Sequence, residues 1–502
     1  MRYDQYIFLA AVALYIVAAW FSTGFYHGDE HYQLIEFAAC KMGTVAPEDL
    51  AWEFGARVRP ALQPFIAFIV IKSMRLISLD DPYVQAFVLR LLTALMALIS
   101  IRYFTRACRA MVNPDFYKVY LFLTYFLWFL PFVNVRFTSE SWSGLMLLNA
   151  LSVLLNGNLG RKGFYVAGVL LGLSFLFRYQ NAFLALGIFL WLVFIRKEKI
   201  LNLAKLAAAG LAALLLGILM DYWLYGKLVL SAWEYFHVNL VEGVASGYGT
   251  EAWWNYFYSI FRFGFFPIGI PVILAFLVLT VKNPRDLFIW TILPFFVIHS
   301  LIPHKELRFL FPVINLVPIL LVLAYQALDR DIRKWKKPAR IAIVTIAWIL
   351  VTINCIGAVT ISLKPADNGL TSITRYIRQH YGDESIRLIS YNNSNPYGPW
   401  GLMASFYMEK DMQDVRLESL NELNNIVIHA DKVNLLVLKR MDAATDPAQD
   451  FITGNKAPKV VQSIPEWMEP LMTLYGGFRV REILELYEIQ HRSAQPRFYG
   501  IR

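Results

Sequence analysis

Cysteine is scarce in this chain: three residues in 502, at Cys40, Cys108 and Cys355. So few and so scattered, they build neither a disulfide framework nor a cysteine-rich metal centre. Charge is scarce as well. Asp, Glu, Lys and Arg make up 17% of the residues, against about 25% in an ordinary soluble domain. Hydrophobic residues reach 57% and aromatic residues 16%. A disordered chain cannot carry that much apolar surface, and a string of soluble domains does not need it. Also missing are a Walker loop, a zinc motif, a Ser-His-Asp arrangement and any long sequence repeat. The net charge of +10 therefore gives no sign of nucleic-acid binding. It has to be read loop by loop, as the charge of a polytopic membrane protein.

What the sequence does have is a series of apolar runs long enough to cross a bilayer. They fall at 5–23, 83–101, 116–134, 139–156, 163–178, 180–195, 200–220, 263–281, 286–303, 309–328 and 341–363. The first has a weak basic start and no small-residue cleavage site after it, which reads as an uncleaved anchor. Basic residues cluster after alternate runs: Arg102, Arg106, Arg109 and Lys118; Arg161 and Lys162; Arg196, Lys197 and Lys199; Lys282 and Arg285; and DRDIRKWKKPAR at 329–340. Placing all of these in the cytoplasm gives eleven spans with the N-terminus inside. The condition is that 61–79, which carries Lys72 and Arg75, lies in the interface without crossing.

Three external regions follow: 24–82, 221–262 and the polar tail 364–502. Short β-rich runs in the tail, Arg387–Tyr391 and Asn434–Lys439, alternate with helical stretches and predict a small α/β domain. The expected architecture is mostly α. It comprises a membrane domain over 1–363, carrying the external loops 24–82 and 221–262, and an extracytoplasmic α/β domain over 364–502.

The few external charges are grouped. His27-Gly28-Asp29-Glu30-His31 opens the first loop, and Glu36 follows. Asp29 precedes an apolar-periodic run, so it could simply cap a helix. Equally, adjacent acids suit a carboxylate that deprotonates a hydroxyl or holds a metal. Trp52-Glu53, Arg57 and Arg59 come next. Arg136 and Glu140 flank one outer turn, Arg178 sits at another, and Asp221 ends a span. A lone arginine at such a place can be a snorkelling anchor. His304-Lys305-Glu306-Leu307-Arg308 puts two cations and a histidine within five residues. On a helix His304 and Arg308 would share a face, which would suit a phosphate held by a point charge and a fork. Tyr248-Gly249-Thr250 with Trp253, Trp254, Tyr256 and Phe257 reads either as an interfacial aromatic belt or as a docking face for sugar or lipid.

These residues, in this order, resemble the family 22 glycosyltransferases, membrane mannosyltransferases of the GT-C class that act in GPI-anchor and N-glycan precursor assembly. The family's H-P-D-E-like stretch and E-x-A turn are similar to His27-Gly28-Asp29-Glu30 and Glu36-Phe37-Ala38. Its T-W-E-[WF] and following arginine resemble Ala51-Trp52-Glu53-Phe54, Arg57 and Arg59. Its T-R-T-x-T-N-S-x-E looks like Val135-Arg136-Phe137-Thr138-Ser139-Glu140, shortened. Its aspartate near Y-G and its Y-G-T-x-P-W resemble Asp221, Tyr225-Gly226, Asn239 and Tyr248-Gly249-Thr250-Glu251-Ala252-Trp253. H-K-E-x-R-F stands here as His304-Lys305-Glu306-Leu307-Arg308-Phe309. Departures include Arg178-Tyr179-Gln180-Asn181 where the family has R-P-T-A, Gly28 where proline is common, and a tail without a match. They fit a divergent, bacterial member.

The resemblance implies an inverting transfer of mannose from a polyprenyl- or dolichyl-phosphate donor to a hydroxyl of a glycolipid or glycan acceptor. In that reading Asp29 is the general base, with Glu30 beside it in the catalytic pair. His304, Lys305, Arg308 and Arg178 bind the donor phosphate. Glu53, Arg57, Arg59, Tyr248 and Trp253 orient the acceptor. No cofactor is required, although Asp29 and Glu30 could accept a divalent ion. The setting is a multi-pass protein of the bacterial inner membrane, or of the endoplasmic reticulum in a eukaryotic cell, with the tail outside. Rival readings are a GT-C transferase for another sugar and a lipid-linked sugar transporter. A transporter places its ionisable groups near the midplane, often in repeated broken helices; here they gather at one face.

Overall fold

The computed structural model describes residues 2–156, 160–263, 268–399, 401–409, 411–474 and 479–489. Residues 264–267, in the start of the expected span 263–281, and 490–502 of the tail lie outside the described residues, as does the side chain of Arg161. Among the described residues, five helices are long and apolar enough to cross a membrane: Tyr3–Phe21, Pro82–Met111, Ile200–Tyr225, Leu307–Arg333 and Lys337–Leu363. Shorter apolar helices cover Lys162–Phe177, Tyr179–Phe194, Gly269–Lys282 and Leu287–Leu301. The helix Ser139–Leu155 matches a further expected run. The segment expected as an interfacial helix at 61–79 is helical over Leu62–Leu76, and Lys72 sets its ammonium 5.2 Å from the Phe68 ring.

Two of the expected spans are not regular. The run at 116–134 is helical over Pro114–Phe126, breaks at Leu127 and resumes only for Leu130–Val133. A break inside apolar surroundings strands backbone groups that no water can reach. One side chain satisfies them here. Asn354 accepts from the Trp128 N–H at 2.8 Å and donates to the Phe126 carbonyl at 2.8 Å. The run at 309–328 begins as a 3-10 segment, Leu307–Leu316, and becomes α-helical from Val317. Pro312 and Pro318 remove donors there, which favours the change of winding.

The chain divides into two compact units. The first comprises 1–21, 52–78 and 86–363. Its core gathers buried residues from most of its helices, including Tyr15, Phe104, Tyr120, Leu151, Ile188, Phe288 and Ile319. Small residues set the closest approaches. A Cβ on Gly187 would lie 2.1 Å from the Trp290 carbonyl oxygen, so only glycine lets those two helices touch backbone to backbone.

The second unit comprises 22–51, 79–85 and 364–502. In this division the first external loop is split. Residues 52–78 pack with the membrane helices, while 22–51 and 79–85 fold with the tail. The reason is local. Phe25, Tyr32, Leu34 and Phe37 are buried. Tyr32 donates its hydroxyl proton to the Leu402 carbonyl at 2.9 Å, and the Ala366 N–H reaches the Thr23 carbonyl at 2.8 Å. The tail itself carries a five-stranded sheet of order β2-β1-β3-β5-β4, with β1 Ile386–Tyr391, β2 Met412–Leu417, β3 Val433–Lys439, β4 Lys459–Gln462 and β5 Leu484–Ile489. β1 runs parallel to β2 and β3, and β5 is antiparallel to β3 and β4. The two runs expected as strands are the central ones, β1 and β3. Both are buried almost end to end, as strands covered on both faces must be.

Asn354→Leu would leave an N–H and a carbonyl unpaired at the broken helix. The expected cost is about 2–4 kcal/mol, read as a lower thermal midpoint of the detergent-solubilised protein. An unchanged midpoint would show that the break is satisfied in another way.

Candidate functional site

In the first unit the polar residues of three separate turns meet. Thr138 caps the helix Ser139–Leu155, its hydroxyl oxygen accepting from the Ser141 N–H at 3.1 Å. That places Glu140 in the first helical turn, where unpaired backbone N–H groups favour a carboxylate. The helix Gly160–Phe177 ends at Arg178, whose backbone turns extended before the 3-10 turn Tyr179–Asn181. Arg178 donates to Glu140 Oε1 at 2.7 Å, and both side chains are buried. It is therefore an ion-pair partner and not a snorkelling anchor. The third turn is HKELRF. His304, Lys305 and Glu306 are non-helical and the 3-10 segment starts at Leu307. The shared helical face expected for His304 and Arg308 does not form.

Another geometry takes its place. Arg308 grips Glu306 through two donors, Nη2 to Oε1 at 3.1 Å and Nε to Oε2. It also donates from Nη1 to Glu140 Oε1 at 3.2 Å. One carboxylate oxygen thus serves both guanidinium groups. Phe309 packs beneath the two, 5.0 Å from Arg178 and 5.4 Å from Arg308. His304 holds Glu306 Oε1 at 2.9 Å through Nε2 and faces the Gly249 carbonyl at 3.3 Å through Nδ1. Both ring nitrogens thus meet oxygen acceptors. Gly144 sets the spacing between these pieces: a Cβ there would lie 2.7 Å from the Pro312 carbonyl oxygen. The two arginines and two glutamates balance in charge. Lys305 and Arg136 are buried as well.

Lys305, expected as a phosphate ligand, has carbonyl partners in the structure. Its ammonium donates to the carbonyls of Ile302 at 2.6 Å, Glu251 at 3.0 Å and Pro303 at 3.5 Å. Loss of water holds it below the usual lysine range. The Glu251 N–H returns to the Pro303 carbonyl at 2.9 Å, so Lys305 clasps the 249–251 loop to the HKELRF turn. Tyr248 is exposed, its ring 6.1 Å from that of His304, and Trp253 is exposed too.

Glu53, on the short helix Trp52–Ala56, lies 3.4 Å from Arg59 Nη2. Arg59 stands 6.0 Å from the Tyr235 ring, and its carbonyl accepts from Tyr225 at 2.7 Å. Arg57 between them adopts a positive φ of 58°. Buried Asp221 fixes the same strand of chain. It accepts from the Ala61 N–H at 3.1 Å and from the Ser231 hydroxyl, which is also bonded to Tyr179.

Asp29 and Glu30 belong to the second unit. The helix Gly28–Tyr32 is capped by His27, whose Nδ1 accepts from the Asp29 N–H at 3.3 Å. The expected cap is therefore the histidine, and Asp29 sits inside the first turn. Its carboxylate is 3.4 Å from His27 Nδ1 and keeps 19% of its side-chain surface exposed. Glu30 is buried and accepts from the Tyr26 N–H at 3.0 Å. Glu36 is deeper. Its Oε1 accepts from the Phe406 N–H at 3.0 Å and meets His31 Nε2 at 2.8 Å.

The sequence profile of the Alg9-like mannosyltransferase family matches residues 6–387. The chain belongs to the Alg9-like mannosyltransferase family. Relatives in this family include GPI mannosyltransferase 3 of Yarrowia lipolytica, 28% identical over 412 residues, covering 78% of this chain and 74% of that one. The bovine GPI alpha-1,2-mannosyltransferase 3 is 24% identical over 66% of this chain and 60% of its own length. The human protein of that name is 23% identical over 66% and 59%. The chain thus spans about three fifths of the length of the bovine and human relatives. Among solved structures, ArnT from Cupriavidus metallidurans in the apo state matches with a TM-score of 0.53 and 14% identity, over 98% of this chain and 99% of that chain. The same protein bound to undecaprenyl phosphate gives 0.51 at 13% identity. At such identity the likeness is one of fold. This Alg9-like chain is an integral membrane protein of the GT-C class.

Sequence reasoning reached Arg178, Arg308 and His304 but missed that Glu140 joins them. Glu140 and Arg178 stand 38 residues apart, beyond any helical period. The one signal available was that Glu140 opens one apolar run and Arg178 closes the next, on the same side.

Glu140→Ala would leave two buried guanidinium groups without their shared carboxylate. A loss of about 3–5 kcal/mol is expected. In a double-mutant cycle with Arg178→Ala the two losses should be strongly non-additive; simple additivity would show that the pair does not act as a unit.

Proposed function

We propose that this Alg9-like chain is an inverting mannosyltransferase. It moves mannose from a polyprenyl-phosphate donor to a hydroxyl of a glycolipid or glycan acceptor at the extracytoplasmic face. The observation that carries this reading is the pair of buried guanidinium groups, Arg178 and Arg308, sharing Glu140 above Phe309. Paired forks held in place out of water suit a phosphate that gains charge as its bond to the sugar breaks. The relatives' names support mannose. The undecaprenyl phosphate bound by ArnT supports a lipid phosphate.

The acceptor oxygen attacks the anomeric carbon on the face opposite the phosphate. The carbon–oxygen bond to the phosphate breaks, and polyprenyl phosphate leaves with the electron pair. A β-linked donor then gives an α-linked product. A single displacement needs a base and a stabilised leaving group, without the covalent enzyme intermediate of retaining enzymes. Asp29 takes the acceptor proton in this reading, supported by its partial exposure, and Glu30 holds the turn that carries it. His304 orients Glu306, and Lys305 maintains the loop that carries Tyr248. Glu53, Arg57, Arg59, Tyr248 and Trp253 serve the acceptor. No metal is required in this reading. The N-terminus is cytoplasmic and the tail external, in a bacterial inner membrane or in endoplasmic reticulum.

Asp29→Asn should reduce transfer by about 10²–10⁴-fold with an unchanged melting curve. Wild-type turnover in that variant would remove Asp29 from the mechanism. The same assay with polyprenyl-phosphate mannose, glucose, galactose and arabinose identifies the sugar; turnover with another sugar and none with mannose would replace the mannose reading. Adding EDTA should leave the rate unchanged, and its loss would bring a divalent ion into the mechanism.

A further inference from the structure

The helix Ile200–Tyr225 is long and apolar enough to cross the membrane, and most of its surface meets no other part of the protein. Its exposed residues are apolar, Leu211, Leu215, Leu219 and Tyr222 among them, as suits a face turned to lipid. The chain leaves this helix at Gly226, whose φ of 66° is the left-handed form that glycine adopts at helix ends. It then enters the region read from sequence as an external loop.

That region is built the wrong way round for water. Between Lys227 and Glu242 six residues are exposed: Leu228, Leu230, Trp233, Phe236, Leu240 and Val241. All six are apolar, with 45–80% of their surface open. Ser231 is buried, and Glu234, Tyr235 and Asn239 are half-buried. A surface helix in water turns its apolar stripe to the core and its polar face outward. The helix Ser231–Phe236, continued by the wider turn His237–Val241, does the reverse. Its inner side is bonded to the site. The Ser231 hydroxyl serves Asp221 and Tyr179, and the Tyr235 hydroxyl accepts from Gln180 Nε2. Tyr179 and Gln180 directly follow Arg178, so this helix is fastened to the turn that carries one of the paired guanidinium groups.

We propose that residues 228–241 form an interfacial membrane helix, seated in the acyl chains of the leaflet next to the site. The occupant follows from three observations. The apolar face comes directly after the lipid-facing side of a spanning helix in the chain. Charge is found at its two ends. Lys227 stands at one, with a stem long enough to reach headgroups. At the other His237 holds Glu242 at 3.0 Å, both side chains about half open. The backbone is also satisfied from within, as a setting without water demands. The Trp233 N–H reaches the Leu230 carbonyl at 2.8 Å, and the Glu242 N–H reaches the His237 carbonyl at 2.9 Å. Where the winding widens, Asn239 Nδ2 donates to the Tyr235 carbonyl at 2.9 Å. An apolar face with polar ends, closed on its own hydrogen bonds, is the form that lies in a bilayer surface. Through Tyr235 and Ser231 the leaflet then supports one wall of the site. The seat requires only that the protein lie in a membrane, so it stands or falls apart from the transfer reading.

The test uses the full chain in nanodiscs of phosphatidylethanolamine and phosphatidylglycerol. Phe236→p-benzoylphenylalanine and Leu240→p-benzoylphenylalanine place on the face a ketone that bonds, on illumination, to a neighbouring C–H carbon. The products are sorted by mass. Leu215→p-benzoylphenylalanine, on the spanning helix, gives the reference yield of lipid adduct. Both positions should give lipid adducts within about fivefold of that reference. A lower yield at either position would overturn the seat, because the face would then meet water or protein. Adducts to a second copy of the chain in place of lipid would overturn it as well. Should one of the two variants fail to fold, the other decides by the same criteria.

Discussion

A polar group taken out of water has to bring its own partner, and nearly every distinctive feature of this chain answers to that requirement. In the membrane-embedded unit no solvent stands ready to complete a broken hydrogen-bond pattern. The helix interrupted after Phe126 is completed by one asparagine side chain. The guanidinium groups of Arg178 and Arg308 share one oxygen of Glu140, and Arg308 is completed by Glu306 as well. The ammonium of Lys305 is completed by three carbonyls. Each solution draws together segments distant in sequence, so the demand for partners also fixes tertiary structure.

The same requirement explains the character of the proposed phosphate grip. Two arginines held by shared counter-ions give up little freedom when an anion arrives. Glu140 serves both arginines and Glu306 holds Arg308 through two further donors. Preorganised donors in a dry setting are worth most where charge develops during reaction. In the second unit, Glu36 takes the backbone N–H of Phe406 and the His31 ring on one oxygen. There a carboxylate joins a loop to the tail.

The architecture was largely legible in the sequence because it rests on signals that act over short distances. Hydropathy marked the helices, and the two β-rich runs marked the central strands β1 and β3. The family resemblance marked His27 to Glu30 and HKELRF. Three features could not be read. The break near Leu127 depends on Asn354, more than two hundred residues away. The extended form of His304 to Glu306 depends on carbonyls offered by the 249–251 loop, where a helical period was assumed. Glu140 and Arg178 are joined by tertiary packing through a contact that leaves no spacing in the chain. The split of the first external loop between the two units was hidden for the same reason. The apolar residues of 22–51 look alike whether they face lipid, helices or a sheet.

Asn354 has one further consequence. It sits in the last membrane helix, Lys337–Leu363, most of whose surface meets no other part of the protein. Two hydrogen bonds of 2.8 Å to fixed backbone atoms set the height of that helix. Sliding it by one turn, about 5.4 Å, would break both at once. The two bonds therefore hold the helix at one depth relative to the broken helix beside it.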